Sequence, residues 1–257
     1  MKNIKKAYLK NGVILGFLCL IMGQLRAQHI ADGSSYLDTL KTELRKQWPD
    51  NRMINLVFHG HSVPTGYLTK GVTDRLHAYP FLTLKKVNDH YPYSVVNAIT
   101  TSIGGEQAEQ GAERFKDEVL NHRPDLLFID YALNDRSIGL KRAKVAWEKM
   151  IVEALEYGTK LILMTPTPDL REDISSKDTE LAKHSEQIRH LAQKYGVGLV
   201  DSYALFRKLS ETEPLKGFMA QNNHVSQKGH QLVADAIYEA YLAWNNPEDE
   251  DQQNKKN

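Results

Sequence analysis

The chain has 257 residues, 41% of them hydrophobic and 25% charged, so it can bury one full-sized core as a single domain. Five of its 33 Lys and Arg residues and none of its 32 Asp and Glu residues precede residue 28, so the remainder is net acidic, which argues against nucleic acid or an anionic membrane as partner. The one cysteine, Cys19, also precedes residue 28, which excludes a thiol enzyme and a disulfide-stapled core in the remainder.

Residues 1–27 have the three parts of a secretory signal peptide. Four lysines lie within residues 1–10, residues 12–23 form an apolar run too short for a comfortable membrane span, and Ala27 supplies a small residue before the expected cut. We therefore expect export, to the periplasm or as a secreted protein, with no stable membrane insertion after signal removal. A retained N-terminal anchor is the alternative. A lipid anchor on Cys19 is disfavoured because Leu18 stands where a lipobox needs a small residue.

After this segment, apolar runs of strand length alternate with amphipathic helical patterns. The predicted strands are 53–58, 94–100, 126–130, 160–164 and 198–201, and the predicted helices are 81–90, 106–121, 141–157, 179–195 and 227–244. The alternation predicts an α/β fold, a three-layer α/β/α sandwich with a mainly parallel five-stranded sheet whose carboxyl edge carries the reactive groups. We expect one domain over residues 28–244 and a polar disordered tail over 245–257.

Four short segments carry residues suited to ester chemistry, each just after a predicted strand or just before the last predicted helix. They are Gly60-His61-Ser62, Gly104-Gly105-Glu106, Ala132-Leu133-Asn134-Asp135 and Asn223-His224. A serine in a turn at a strand end can face the cleft, and Gly105 can bring its backbone N–H close to a ligand. The Asn134 amide can donate to an oxyanion, and His224 can act as a base. Each residue alone has an ordinary structural explanation in a turn, at a helix start or on the surface.

Together and in this order, the four segments resemble the SGNH, or GDSL, hydrolase family. The resemblance covers the whole predicted domain and implies the flavodoxin-like fold of that family. It implies Ser62 as nucleophile, His224 as base, and an oxyanion hole made by the N–H groups of Ser62 and Gly105 with the Asn134 amide. The implied activity is that of a serine ester hydrolase working through an acyl-enzyme, and we expect no cofactor.

Two aspartates of the family pattern are replaced in this chain. His61 stands where the family has the aspartate of G-D-S, and Gln221 stands where it has the carboxylate of D-x-x-H. We therefore predict a Ser–His dyad in which the Gln221 side-chain oxygen or a main-chain carbonyl accepts the Nδ1 proton of the base. A carboxylate from elsewhere in the chain, Asp169 or Asp201, is the alternative.

His59 and His61 are spaced by two positions at a strand end, a spacing that metal ligands can have. Because no metal-binding motif such as H-E-x-x-H accompanies them, we expect no metal centre and place His61 in the substrate pocket.

An exported, acidic enzyme suits acetyl or other short acyl esters of carbohydrates better than membrane lipids, and many members of the family act on acetylated carbohydrates. We therefore expect a small-molecule or polysaccharide ester as substrate. Two alternatives would keep the same residues: a catalytically weak carbohydrate-binding relic, suggested by the missing aspartates, and an acyltransferase. The sequence leaves the acyl chain, the sugar and the oligomeric state open.

Overall fold

A parallel five-stranded sheet between two layers of helices organises residues 29–244, the part of the chain that the computed structural model describes. The strands are β1 Met53–Gly60, β2 Val95–Thr100, β3 Leu126–Asp130, β4 Lys160–Met164 and β5 Gly198–Val200. Their order in the sheet is β2-β1-β3-β4-β5, with every neighbouring pair parallel. The predicted three-layer α/β/α fold is confirmed. The predicted signal peptide and the tail over 245–257 lie outside the described residues.

The helices occupy the connections between the strands and the two ends of the described chain. They are α1 Asp38–Arg45, α2 Ser62–Thr65, α3 Tyr79–His90, α4 Ala108–Glu113, α5 Phe115–Glu118, α6 Ala132–Asp135, α7 Gly139–Tyr157, α8 Glu180–Tyr195, α9 Ser202–Ser210 and α10 Gln227–Ile237. A small antiparallel hairpin, β6 Met219–Gln221 with β7 His224–Val225, precedes α10. Within residues 29–244, no helix combines the length and the apolar character needed to cross a bilayer.

Strand side chains alternate between two hydrophobic cores, one on each face of the sheet. Leu56 and Phe58 of β1 pack with residues of α1, α3 and α10, whereas Val57 packs with residues of α4, α7 and α8. β3 and β4 alternate in the same way, and apart from Lys160 at the start of β4 their residues are fully or almost fully buried. Because successive residues of a strand point to opposite faces, a strand buried on both faces must be apolar throughout. This is why each central strand is a short continuous apolar run in the sequence.

The sheet grows in opposite directions from β1, with β2 on one side and β3 on the other. Such a reversal opens a crevice at the carboxyl ends of the strands, the usual ligand site of an open α/β sheet. At the end of β1, Gly60 pairs with Asp130. A Cβ at position 60 would lie 2.3 Å from the Asp130 carbonyl oxygen, so the close approach of the two strand ends requires glycine there.

The prediction of one helix over 106–121 is wrong. The segment forms α4, α5 and the 3₁₀ turn Leu120–His122, with a break at Arg114, whose backbone has φ −98° and ψ 4°. Apolar residues on both sides of the break still face the same core, so hydrophobic spacing does not reveal it. The predicted helix over 227–244 is also shorter, because α10 ends at Ile237 and a π-helical turn follows at Tyr238–Leu242.

The sequence pattern does not predict α1, α9, the β6–β7 hairpin or the single helical turns α2 and α6. These elements are short, and most lie in loops where a few hydrogen bonds, rather than a repeating apolar face, decide the backbone. Two of the missed elements, α2 and the hairpin, contain Ser62 and His224.

Candidate active site

Ser62 is the first residue of α2, which begins two residues after the end of β1. The turn is held at its start by Val63, whose N–H donates to the His61 Nδ1 at 3.2 Å, and at its end by Gly66, whose N–H bonds back to the turn. As the first residue of a helical turn, Ser62 has a backbone N–H with no acceptor inside the turn. Ser62 as a whole residue is only 6% exposed. The turn thus presents both the hydroxyl and the N–H of Ser62 at the carboxyl edge of the sheet.

The β6–β7 hairpin brings His224 to this hydroxyl across 162 positions of the chain. The Ser62 Oγ and the His224 Nε2 are 2.9 Å apart, a normal hydrogen-bond distance. A serine hydroxyl can donate to this nitrogen only when the imidazole carries its proton on Nδ1. The partner of Nδ1 therefore decides whether His224 can accept the serine proton.

Two groups lie close to the Nδ1 of His224. The Leu68 carbonyl oxygen is 3.0 Å away, and the Gln221 side-chain amide nitrogen is 2.5 Å away. A carbonyl oxygen can only accept, so the Leu68 contact requires a proton on Nδ1. The orientation of a glutamine amide is assigned from its hydrogen bonds, and rotation of the Gln221 amide presents its oxygen to the same proton. We assign the Nδ1–H tautomer, with Leu68 as its main-chain acceptor.

Burial of the His224 ring lowers its pKa below the usual value for histidine. The Leu68 carbonyl acts in the opposite direction and His61 adds to the lowering, but the loss of solvation is the largest cause. The imidazole is therefore neutral at pH 7 and able to accept a proton.

Three segments that could bind an oxyanion are joined to one another by hydrogen bonds. The Ile103 N–H donates to the Gly60 carbonyl at 3.0 Å, which ties the loop after β2 to the end of β1. The Asn134 Nδ2 donates to the Glu106 carbonyl at 2.9 Å, which ties the same loop to α6. Between these two contacts lies Gly105, which is exposed, with φ +80° and open space where a Cβ would be. The second amide hydrogen of Asn134 is left to donate to a ligand.

His61 does not line a pocket as predicted. Its side chain is 1% exposed, caps α2 through Nδ1, and faces the Asp130 carboxylate with Nε2 at 3.4 Å. The Tyr79 hydroxyl donates to the other oxygen of Asp130 at 3.1 Å. A histidine that is both a helix cap and the partner of a buried acid has no face left for a substrate.

Neither alternative carboxylate is placed to orient His224. Asp169 binds the guanidinium groups of Arg136 and Arg171, and these hydrogen bonds outweigh the effect of burial and lower its pKa to about 2. Asp201 binds Arg189 and Thr165 and caps α9. Both side chains are engaged in separate interactions on the β4 and β5 side of the sheet.

A second buried polar cluster lies beneath the loop after β2, and the sequence motifs do not identify it. It contains Glu106, Arg114, Tyr131 and His59. Burial, together with the charge of Arg114, lowers the pKa of His59 to about 3, so this imidazole is neutral. His59 contacts Thr101 and Tyr131, whereas His61 contacts Val63 and Asp130, so the two histidines do not share partners.

The contribution of Leu68 to the site cannot be predicted from the sequence. It comes from a main-chain carbonyl, which every residue has, so no side-chain pattern indicates it.

Comparison with known proteins identifies a family and a set of structures with the same fold. A model of the GDSL-like lipase/acylhydrolase family matches residues 58–232. None of the curated proteins compared by sequence matches the chain.

Solved structures share the fold at low sequence identity. An acetyl-xylooligosaccharide esterase from Geobacillus stearothermophilus superposes with a TM-score of 0.65 at 18% identity, over 75% of this chain and 95% of that one. A two-domain esterase active on acetylated mannans superposes with a TM-score of 0.66 at 16% identity, over 83% of this chain and 53% of that one. Three other structures of the Geobacillus enzyme are catalytic mutants in which a histidine, a serine or an aspartate was replaced by alanine.

Proposed function

Because the chain belongs to the GDSL-like lipase/acylhydrolase family and is an esterase of that type, we propose that it removes acetyl or other short acyl groups from carbohydrates. The observation that carries the mechanism is the 2.9 Å contact between the Ser62 Oγ and the His224 Nε2. We infer an acyl-enzyme on Ser62, with His224 as the base and with the Ser62 N–H, the Gly105 N–H and the Asn134 amide as oxyanion donors.

In the first half of the reaction, the Ser62 Oγ attacks the ester carbonyl carbon while its proton passes to the His224 Nε2. The carbonyl oxygen becomes an oxyanion and is stabilised by the three N–H donors, each worth about 3 kcal/mol of barrier. When the tetrahedral intermediate collapses, the bond to the sugar oxygen breaks, and His224 gives its proton to that oxygen. The sugar leaves as an alcohol, and the acyl group stays on Ser62.

In the second half, His224 takes a proton from water as the water oxygen attacks the acyl carbon. Collapse of the new intermediate breaks the bond to the Ser62 Oγ and returns the proton to it. The products are the carboxylic acid and the free enzyme.

The Leu68 carbonyl takes over one of the two roles that a carboxylate has in a Ser-His-Asp triad. It keeps the proton on Nδ1, and so keeps Nε2 free to accept from Ser62. It does not supply the full negative charge that stabilises the imidazolium. In the serine-protease template, loss of the carboxylate with the wrong tautomer costs about 10⁴ in turnover. Because the Leu68 carbonyl preserves the tautomer, the loss in turnover caused by having this carbonyl instead of a carboxylate should be much smaller.

Two observations support a carbohydrate ester as substrate. The structural neighbours with the same fold include esterases that act on acetylated xylooligosaccharides and mannans. The net acidic chain after residue 28 and the predicted signal peptide suit a soluble exported enzyme that acts on polysaccharide rather than on anionic lipid.

The proposal is tested by measuring acetate release from acetylated xylan and mannan, together with hydrolysis of acetyl and long-chain esters of one chromogenic alcohol. We expect acetate release and a strong preference for the acetyl ester, both abolished in Ser62→Ala. A preference for long acyl chains would overturn the substrate class, full activity of Ser62→Ala would overturn the nucleophile, and acyl transfer to an added sugar instead of water would mark an acyltransferase.

A further inference from the structure

We propose that Glu106 and Arg114 are positioning residues that hold the oxyanion donors Gly105 and Asn134 in place. The inference rests on the proposed function, because it concerns the same site. Neither residue needs to touch the substrate. Their action is through the loop between β2 and α4, residues 101–107, here called the oxyanion loop.

The side chains of Glu106 and Arg114 form a two-pronged ion pair beneath this loop. The Arg114 Nε donates to the Glu106 Oε1 at 2.7 Å, and the Arg114 Nη2 donates to Oε2 at 2.6 Å. The Tyr131 hydroxyl, at 2.6 Å, is a further donor to the same Oε2. Glu106 is 6% exposed, so its carboxylate depends on these donors to compensate for lost water.

The ion pair of Glu106 and Arg114 makes hydrogen bonds at both ends of the oxyanion loop. At the start of the loop, the Arg114 Nη2 also donates to the Thr101 carbonyl at 2.5 Å. At the end of the loop, Glu106 is itself a loop residue, and its own carbonyl accepts from the Asn134 Nδ2 at 2.9 Å. A single guanidinium therefore bridges both ends of the loop, and one bridged residue, Glu106, directly orients the Asn134 amide.

Gly105 has no side chain to anchor it and lies inside the turn that the Glu106 N–H closes on the Ile103 carbonyl at 3.3 Å. It adopts φ +80°, is exposed, and has open space around the position of a Cβ. Glycine samples more backbone conformations than any other residue. The direction of its N–H is therefore set by its neighbours, and Glu106 is the next residue. A displacement of about 1 Å in a catalytic group can cost about 10²-fold in rate.

The chain contains a matched ion pair that should not affect the oxyanion loop. Arg142 of α7 binds Glu109 of α4 through the same two-pronged geometry, with its Nε 2.9 Å from the Glu109 Oε1. Both of its side chains are more exposed, at 63% for Arg142 and 33% for Glu109. Glu109→Gln and Arg142→Lys therefore control for the loss of a carboxylate and of a guanidinium in the same region.

The experiment compares steady-state hydrolysis of an activated acetyl ester with labelling of the full-length protein by a fluorophosphonate run to completion. The labelled fraction counts chains with an intact Ser62 site, so kcat is expressed per labelled chain. For Glu106→Gln we expect kcat to fall at least about tenfold, with KM changed less than about twofold, because the donors act on the transition state. Arg114→Lys keeps the positive charge but loses the planar guanidinium that binds both oxygens of Glu106, so its kcat should also fall. Both controls should stay within about twofold of the wild-type kcat.

A shared mechanism adds one more expectation. If Glu106 and Arg114 act as a unit, their effects should not add. The kcat of the double variant Glu106→Gln/Arg114→Lys should then lie within about twofold of the kcat of the slower single variant. Should Glu106→Gln fail to fold, Arg114→Lys against Arg142→Lys decides the question. Equal kcat per labelled chain in Arg114→Lys and its control, or a loss confined to KM, would overturn the proposal. Failure of the proposed Ser62 mechanism itself would be distinct, since the wild-type protein would then be neither labelled nor active on the acetyl ester.

Discussion

His224 donates its Nδ1 proton to a neutral acceptor, the Leu68 carbonyl, and burial lowers the pKa of its ring. A neutral acceptor orients the ring without adding the charge that raises the pKa of a histidine beside a carboxylate. As the proposed base, His224 should therefore stay unprotonated, and the enzyme active, at pH values below the usual histidine pKa. In the proposed mechanism an imidazolium forms during the reaction, and no carboxylate within residues 29–244 contacts it to stabilise the charge.

Restoring a carboxylate next to the base should change this pH dependence in a defined direction. In Gln221→Asp, the new carboxylate favours the protonated ring and raises the pKa of His224. The acidic limb of the kcat/KM profile should therefore move to higher pH, since activity needs the neutral ring. The measurement is kcat/KM for an activated acetyl ester from pH 4 to pH 9.

The matched control for this change is Gln221→Asn, which shortens the side chain equally and adds no charge. Its acidic limb should coincide with that of the wild type. An unmoved limb in Gln221→Asp would mean that His224 does not govern the profile, which would count against its assignment as base.

At the level of single residues, the sequence predicts the reactive side chains better than it predicts the groups that orient them. Ser62 and His224 were predicted to meet, and they lie at hydrogen-bond distance. The support for His224 comes from a main-chain atom of Leu68, which no side-chain pattern encodes. His61 was misplaced because its sequence position, next to the serine, does not show that Asp130 is paired with it inside the core.

The element that supplies the Leu68 carbonyl is a tight hairpin over residues 66–74. The Asp74 N–H donates to the Gly66 carbonyl and the Leu68 N–H donates to the Val72 carbonyl, both at 2.8 Å. The Asp74 carboxylate caps the turn Arg75–His77 and accepts from the Gln227 Nε2 at 2.7 Å. Gln227 begins α10, just after His224, so this contact couples the hairpin to the segment that carries the base.

Removing this carboxylate should loosen the support of the base without touching the reacting groups. In Asp74→Ala we expect kcat to fall by about threefold to tenfold, because the Leu68 carbonyl is held less firmly. Loss of the cap should also lower the free energy of unfolding by about 1 kcal/mol. Steady-state kinetics and urea unfolding measure the two effects.

Asp32 provides the comparison for Asp74, since it also closes a local turn, through the N–H and hydroxyl of Ser34, but lies far along the chain from the site. Asp32→Ala should leave kcat unchanged. If Asp74→Ala kept the wild-type kcat while losing stability, the hairpin would have only a structural role.

At the level of elements, long periodic segments were predictable and short loop-borne ones were not. The strands β3 and β4 have their predicted bounds, and α7 and α8 differ from prediction by only a few residues. These elements bury apolar side chains along their whole length. By contrast, α2 and the β6–β7 hairpin are set by individual hydrogen bonds, such as that of Val63 to His61, and by tertiary position. Most of the proposed active-site residues lie on such short elements or in loops.

Over the whole molecule, the α/β/α architecture follows from alternating strand and helix signals, because a sheet covered on both faces needs apolar strands and amphipathic helices. The strand order β2-β1-β3-β4-β5 explains why distant segments converge. The loops after β1, β2 and β3 all open at the reversal point of the sheet, so Ser62, Gly105 and Asn134 arrive at the same edge. Convergence of the fourth residue, His224, depends on the chain returning to that edge before α10.

The proposed reaction passes through a covalent intermediate at this convergence point. Detection of that intermediate is therefore its most direct test: the full-length protein is mixed with an activated acetyl ester, quenched with acid before turnover is complete, and mapped by peptide mass spectrometry. We predict one acetyl group on the peptide that contains Ser62, present in the wild type and absent from Ser62→Ala. Rapid ester hydrolysis with the acetyl group on another residue, or with equal turnover by Ser62→Ala, would contradict it.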